Sequence, residues 1–235
     1  MAPVVTGSVD MVLSRYLDEC AARAAGVLGT DVEASVTLRE HGLTLRAGSS
    51  GIAAARCDRA EAMVDDGPCI DAMGDDAVVE VPTVVPDDRW REWSEQARRE
   101  GFVRALAVPS QVNEDVSLAL NLYSRSAGPW DERLVHAAGA YSALIASAVN
   151  LQLAFSDLDD AAGTLAHGTS EDEMVQRAIG AVMQTNGCSQ DEAAELLRSA
   201  SRRGGVPESE VARTVLRSLA TASTGDIVDV LAAER

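Results

Sequence analysis

The chain has 235 residues, 46% hydrophobic and only 3% aromatic, enough for one large unit or two modest ones with cores built from Ala, Val and Leu. Its formal charge of −17 comes from 20 basic residues, all Arg, set against 37 Asp and Glu. Such a surface repels phosphate backbones as a whole, so any nucleic-acid role must rest on a local basic patch. The absence of Lys excludes a Walker A phosphate loop and Schiff-base catalysis. Cys20, Cys57, Cys69 and Cys188 form no CxxC pair and none stands beside a His at metal-ligand spacing, so no metal or cofactor is expected. No basic-then-apolar leader opens the chain and no apolar run reads as long enough to span a bilayer. These features lead us to expect a cytoplasmic protein with reduced thiols and no membrane contact.

Residues 8–28 read as an amphipathic helix with Leu13, Tyr16, Cys20, Ala24 and Val27 on its apolar face and Gly29 as its stop. Val32, Ala34, Val36 and Leu38 then alternate with Glu33, Ser35 and Thr37, the pattern of a half-buried strand. His41-Gly42 is a turn, and Leu43–Arg46 returns as the second arm of a hairpin. Short helical turns over 58–74, a strand at 78–81, a polar helix over 90–100 and strands at 102–108 and 116–123 follow. This order predicts an α+β fold with an antiparallel sheet and flanking helices.

From Asp131 the pattern changes to a heptad. Leu134, Ala137, Tyr141, Leu144, Ala148, Leu151, Phe155, Leu158, Ala162 and Leu165 recur at spacings of three and four. The first half is expected to pack on the sheet. The second half, beyond Asn150, needs other apolar surface, which predicts a homodimer through the helix around 134–165; the alternative is a helix folded back on its own domain. Ser170 with Glu173, and Ser189 with Glu192, are capping boxes that open two further helices. Gly187 and Gly204-Gly205 are their stops, and Pro207 opens a third helix. The expected organisation is a sensor-like sheet unit over 1–150, a helical linker continuing the coiled coil over 151–168, a three-helix bundle over 169–220 and a tail over 221–235.

The run Val175-Gln176-Arg177-Ala178-Ile179-Gly180-Ala181-Val182-Met183, with Gly187-Cys188-Ser189-Gln190-Asp191-Glu192-Ala193, Leu196-Leu197-Arg198, Ser201 and Val211-Ala212, resembles the ANTAR domain of transcription antitermination regulators. Upstream, Gly67-Pro68-Cys69, Asp88-Arg89-Trp90, Gly101, Val108-Pro109 and Leu120-Asn121-Leu122-Tyr123 resemble the GAF domains that precede ANTAR in actinobacterial proteins. The resemblance implies a GAF-like sensor of a small molecule or redox cue, a coiled-coil linker helix and an ANTAR-like bundle that binds paired RNA stem-loops to prevent termination. No HExxH, GxSxG or GxGxxG motif points to an enzyme. A helix-turn-helix DNA reader is disfavoured because the third helix is acidic at its start.

Within the bundle the candidate RNA-binding residues are Arg177, Arg198, Arg202, Arg203, Arg213 and Arg217, because guanidinium pairs with phosphate in a fork and stacks on unpaired bases. Against this stands a solvated face neutralised by Glu195, Glu208 and Glu210. The basic pattern of the family is also thinned. Asp172 stands where an Arg is usual, Ile179 where the family has Lys, and Pro207 where a Lys is frequent. Each lost cation removes a phosphate contact. The alternative function is therefore a degenerate ANTAR protein that no longer binds RNA and acts through protein–protein contacts as a dimeric sensor. For the sensor, Cys69 near a helix start is a candidate reactive thiol or an ordinary buried one. Trp90, Trp93 and Tyr123 are candidates to line a ligand pocket or to pack a core. His41, His136 and His167 lie far apart in sequence and read as structural or solvated residues.

Overall fold

A computed structural model describes residues 10–29, 31–86, 89–164 and 170–219. The expected tail from Thr221, His167 and Asp88 of the sequence motif lie outside these residues. The elements run α1 (Asp10–Leu28), β1 (Val32–Glu40), β2 (Leu43–Ser49), α2 (Ile52–Val64), α3 (Pro68–Asp75), β3 (Val79–Val81), α4 (Arg91–Arg99), β4 (Arg104–Gln111), β5 (Val116–Ser124), α5 (Glu132–Thr164), α6 (Glu171–Asn186), α7 (Gln190–Gly204) and α8 (Glu208–Leu219). The five strands form one antiparallel sheet in the order β2-β1-β5-β4-β3, the α+β class read from the sequence.

Local chemistry sets the hairpin. His41 and Gly42 both take positive φ, 49° and 72°, a two-residue turn whose twist matches the strands it joins. Gly48 on β2 is needed for a different reason: a Cβ there would come within 2.5 Å of the backbone carbonyl carbon of Leu17, so only glycine lets α1 approach the edge strand this closely.

Strand β1 is not half-buried, as its alternation predicts, but covered on both faces. Ala34, Val36 and Leu38 join α1, α5 and the apolar residues of β4 and β5 in the main core. Ser35 and Thr37 are also fully buried, because α2, α3 and α4 cover the opposite face. Their hydroxyls find polar partners inside, which is how a polar alternation survives in a two-sided layer. On α1 the apolar face is rotated from the expected one. Leu17, Cys20, Ala21, Ala24, Ala25 and Leu28 are buried, whereas Val27 is 77% exposed. The small alanines allow this helix to lie close to both the sheet and α5.

Helix α5 packs on the sheet through Ala138, Ile145, Ala146, Val149 and Leu153, with Ser142 donating to the carbonyl of Val108. The described large heptad positions occupy its flank instead: Leu134 and Tyr141 are half-buried, while Leu144 and Leu151 are 59% and 60% exposed; Phe155, Leu158, Ala162 and Leu165 lie outside the described side chains. The expectation that no apolar run is long enough to cross a membrane is corrected by the same helix. Glu132–Ala154 has 23 residues and a mean hydropathy of 1.4, because alanine and the two apolar stripes coincide in one stretch.

Leu120 is fully buried on the central strand β5. Leu120→Ala should leave a cavity and destabilise the fold by about 2–5 kcal/mol in urea denaturation. A loss within a few tenths of that of an exposed control would show that this layer is not the core.

Candidate functional site

The C-terminal bundle is assembled from its caps. Ser170 accepts from the Glu173 N–H while Glu173 reaches back to the Ser170 N–H, and Ser189 and Glu192 repeat the arrangement on α7. Gly187 and Gly205 end α6 and α7. Ala178, Ile179, Val182, Ala193, Leu197, Ala200, Val211, Ala212 and Val215 then pack into one apolar cluster. Two further members of that cluster, Leu43 and Leu45, come from edge strand β2. The bundle is thus built around the tip of the β1–β2 hairpin.

The six candidate arginines divide into three groups. Arg177 on α6 is exposed and in no salt bridge among the described residues. Arg198 and Arg202 share Glu195, at 3.0 and 2.7 Å, and Arg213 pairs with Glu210; all are exposed pairs within the bundle. The two guanidiniums hold the Glu195 carboxyl below its usual range. Exposed pairs of this kind are worth about 0–1 kcal/mol, so a phosphate can replace the carboxylate at little cost.

Arg203 and Arg217 belong instead to the seam with the sheet unit. Arg203 Nη2 donates to the Gly42 carbonyl at 2.6 Å and its Nη1 lies 3.4 Å from Asp65, a residue that also holds Arg39 in a forked pair. Arg217 Nη2 donates to Glu40 Oε1 at 2.7 Å, and Thr214 Oγ1 donates to the same oxygen at 3.1 Å. Glu40 is buried; its Oε2 has no hydrogen-bond partner, and burial raises its carboxyl pKa against the opposing pull of Arg217.

The three positions at which the resemblance leads to the expectation of a cation have distinct places. Asp172 is exposed in the first turn of α6, where its charge suits the helix dipole. Pro207 stands immediately before α8, its carbonyl accepting from Glu210 and Val211. Ile179 is 7% exposed, inside the cluster that also holds Leu43 and Leu45.

Within the sheet unit the candidate ligand residues are all buried in packed apolar clusters. Trp90, Trp93 and Tyr123 share one and Cys69 lies in its neighbour. Trp90 and Trp93 meet edge to face at 6.0 Å, Trp90 Nε1 donates to Asp71, and Tyr123 stacks on Phe102. Cys69 sits in the first turn of α3, but burial, followed by the nearby Glu61 and Asp58 carboxyls, raises its thiol pKa well above the ordinary range. Desolvation outweighs the helix dipole here, so the first-turn position does not by itself make a reactive thiolate. His41 lies 3.8 Å from Glu40 at the hairpin turn, and His136 is exposed on α5.

Sequence reasoning missed a buried polar cluster beside these residues. Asp58 is fully buried on α2 and its Oδ1 accepts from Ser35, Asn121 and Tyr123, at 2.8, 3.3 and 2.9 Å. Its Oδ2 and Asn121 Oδ1 have no partner. Glu61, one turn on, accepts from the Cys69 N–H at 3.1 Å. Burial pushes the Asp58 carboxyl up to about 6, and raises Glu61 well above the carboxylate range. Nothing in the local pattern of 58–61 distinguishes these acids from the many solvated ones of an acidic chain.

Comparison with known proteins bears on the C-terminal unit most directly. Residues 165–216 match the family profile of the ANTAR domain. No curated protein sequence matches the chain significantly. Solved structures with a similar fold include the GAF domain/HD domain protein from Geobacter sulfurreducens, 13% identical with a TM-score of 0.44 over 58% of this chain and 91% of that one. The PixJ GAF domain of Thermosynechococcus elongatus, in its blue-light absorbing form, is 12% identical with a TM-score of 0.46, over 70% and 100%. SdiA of Escherichia coli is 12% identical with a TM-score of 0.41, over 88% and 90%. These overlaps are too slight to carry an argument about function.

The Asp58 cluster has a signature in pH. Its folded pKa lies above the unfolded value, so the folded state binds more protons between about pH 4 and 6. Stability from this group is therefore lost as pH rises through that window, by on the order of 3 kcal/mol. Asp58→Asn does not titrate, and its stability relative to wild type should climb by about that amount between pH 4 and 7. Parallel profiles in urea denaturation would place the titration elsewhere.

Proposed function

We propose that the chain is a dimeric, signal-responsive RNA-binding antitermination regulator, with a GAF-type sensor in the first 150 residues and an ANTAR-type output bundle over 169–220. One observation carries the reading. The region matched to the ANTAR domain is a three-helix bundle with two of its candidate phosphate-binding arginines, Arg203 and Arg217, held by Asp65 and Glu40 of the sheet unit. A sensor that grips the output by its basic residues controls RNA binding by letting them go. Affinity for RNA then scales with the fraction of molecules undocked.

The mechanism follows from the difference between the exposed arginines, Arg177 among them, and the two held at the seam. Arg198, Arg202 and Arg213 make only exposed pairs and meet RNA phosphates by exchanging Glu195 and Glu210 for them. Arg203 and Arg217 become available only when a signal loosens the seam. The signal is a small molecule or redox cue acting on the sheet unit. Leu144 and Leu151, one heptad apart and open on α5, support pairing with a second copy, which presents two bundles to two stem-loops. A cytoplasmic location follows from this role.

A second reading has its own observation. Ile179 stands where the resemblance expects a Lys and is buried in the apolar cluster that takes in Leu43 and Leu45 of the sheet unit, which suits a bundle that has exchanged RNA for protein contacts.

Gel-shift titration against tandem hexaloop hairpins at two salt concentrations separates the two. Under the first reading, Glu40→Gln with Asp65→Asn tightens binding severalfold, while Arg198→Ala with Arg202→Ala weakens it and flattens its salt dependence. No binding by wild type or by the seam variant at low salt would establish the second.

The dimer is tested separately. Leu144→Glu with Leu151→Glu should yield a monomer in light scattering without loss of helical signal. A dimer that survives both charges would remove α5 from the interface.

A further inference from the structure

A cavity of about 450 Å³ opens where the sheet unit meets the bundle. It is an open cleft bounded by the end of β2, Asp18 in the middle of α1, the first turns of α2 and the last turn of α6. In a chain of charge −17, its wall is basic: Arg46, Arg56 and Arg59 line it, against a single carboxylate, Asp18. Asp18 already accepts from the Ser49 N–H, and Arg56 is paired with Glu100 at 3.2 Å. Arg46 and Arg59 are in no salt bridge among the described residues. The N-terminus of α2 does not make the site, since Glu33 already accepts from the Ala54 N–H there.

The bundle side supplies a second and independent mark. Asn186 lines the cavity, is 1% exposed, and has neither its amide oxygen nor its amide nitrogen hydrogen-bonded. A buried amide with both ends unsatisfied is costly, and such groups ordinarily have a partner. Thr185 lines the cavity beside it.

We propose that this cavity binds a small phosphate-bearing molecule. Arg46 and Arg59, in no salt bridge among the described residues, supply forked, charge-assisted donors that match a dianionic phosphate better than a single carboxylate. The Asn186 amide and the Thr185 hydroxyl supply the neutral contacts. The volume lies in the range of small-molecule sites rather than single-ion sites. Because Arg46 and Arg59 belong to the sheet unit and Asn186 to α6, an occupant bridges the two and holds the seam closed. The site stands whether or not the bundle binds RNA.

Inorganic pyrophosphate is the probe, titrated calorimetrically into the full chain at constant ionic strength. Saturable one-site binding is expected, with a rise in Tm, since a ligand of the docked state alone stabilises it. Arg59 is exposed, so Arg59→Gln should keep the fold and weaken binding about tenfold or more. Arg133→Gln, an equal charge change on α5 away from the cavity, should leave it unaltered. Two results would overturn the proposal: no binding at millimolar pyrophosphate, or equal weakening by Arg133→Gln.

Discussion

Leu43 and Leu45 stand on an edge strand, the position in a sheet most open to unwanted pairing and least able to keep apolar side chains dry. The bundle covers them, and in return they extend a core that three short helices make too small on their own. That exchange of apolar surface fixes where the bundle sits. With the hairpin tip inside the cluster, the Gly42 carbonyl falls within reach of Arg203, and Glu40 is enclosed with Thr214 and Arg217. The polar contacts at the seam follow from the apolar one, and the basic cavity between Arg59 and Asn186 is the gap left where the two surfaces part.

The acidity of the chain decides how its arginines are held. With nearly twice as many acids as arginines, most basic side chains of the bundle find a carboxylate, but not at equal strength. Arg198, Arg202 and Arg213 meet theirs in solvent, where screening keeps the interaction weak. Arg217 meets Glu40 out of water, where breaking the pair strands a buried charge. Salt and competing phosphate therefore act on the first set. The second yields only to a change that separates the units.

Much of this architecture was legible in the sequence because it rests on local rules. Ser170 and Ser189 open helices, Gly187 ends one, His41-Gly42 turns a hairpin, and the ANTAR resemblance over the bundle agrees with the family match. What was not legible depends on neighbours distant in sequence. Ser35 and Thr37 alternate like solvent-facing residues, yet α2 and α3 close over them. The heptad of α5 reads as a core stripe, yet a second stripe offset from it faces the sheet. Cys69 sits where a helix dipole favours thiolate, but its burial beside Glu61 decides otherwise. Asp58, Glu61, Glu40 and Asp65 look like any of the chain's acids until the fold removes water or brings an arginine to them.

Ile179 shows how the two kinds of information combine. Read from sequence alone, it is a missing cation, one phosphate contact fewer. In the structure the same position is 7% exposed and shares its cluster with Leu43 and Leu45. A lysine there would have to bury an ammonium among apolar side chains or snorkel out at the expense of their packing. The substitution is therefore a gain as well as a loss. It removes a cation that the resemblance expects and adds apolar area to the cluster that joins the bundle to the hairpin. The exposed arginines that remain outside the seam, Arg177, Arg198, Arg202 and Arg213, are the ones open to phosphate while the bundle is docked.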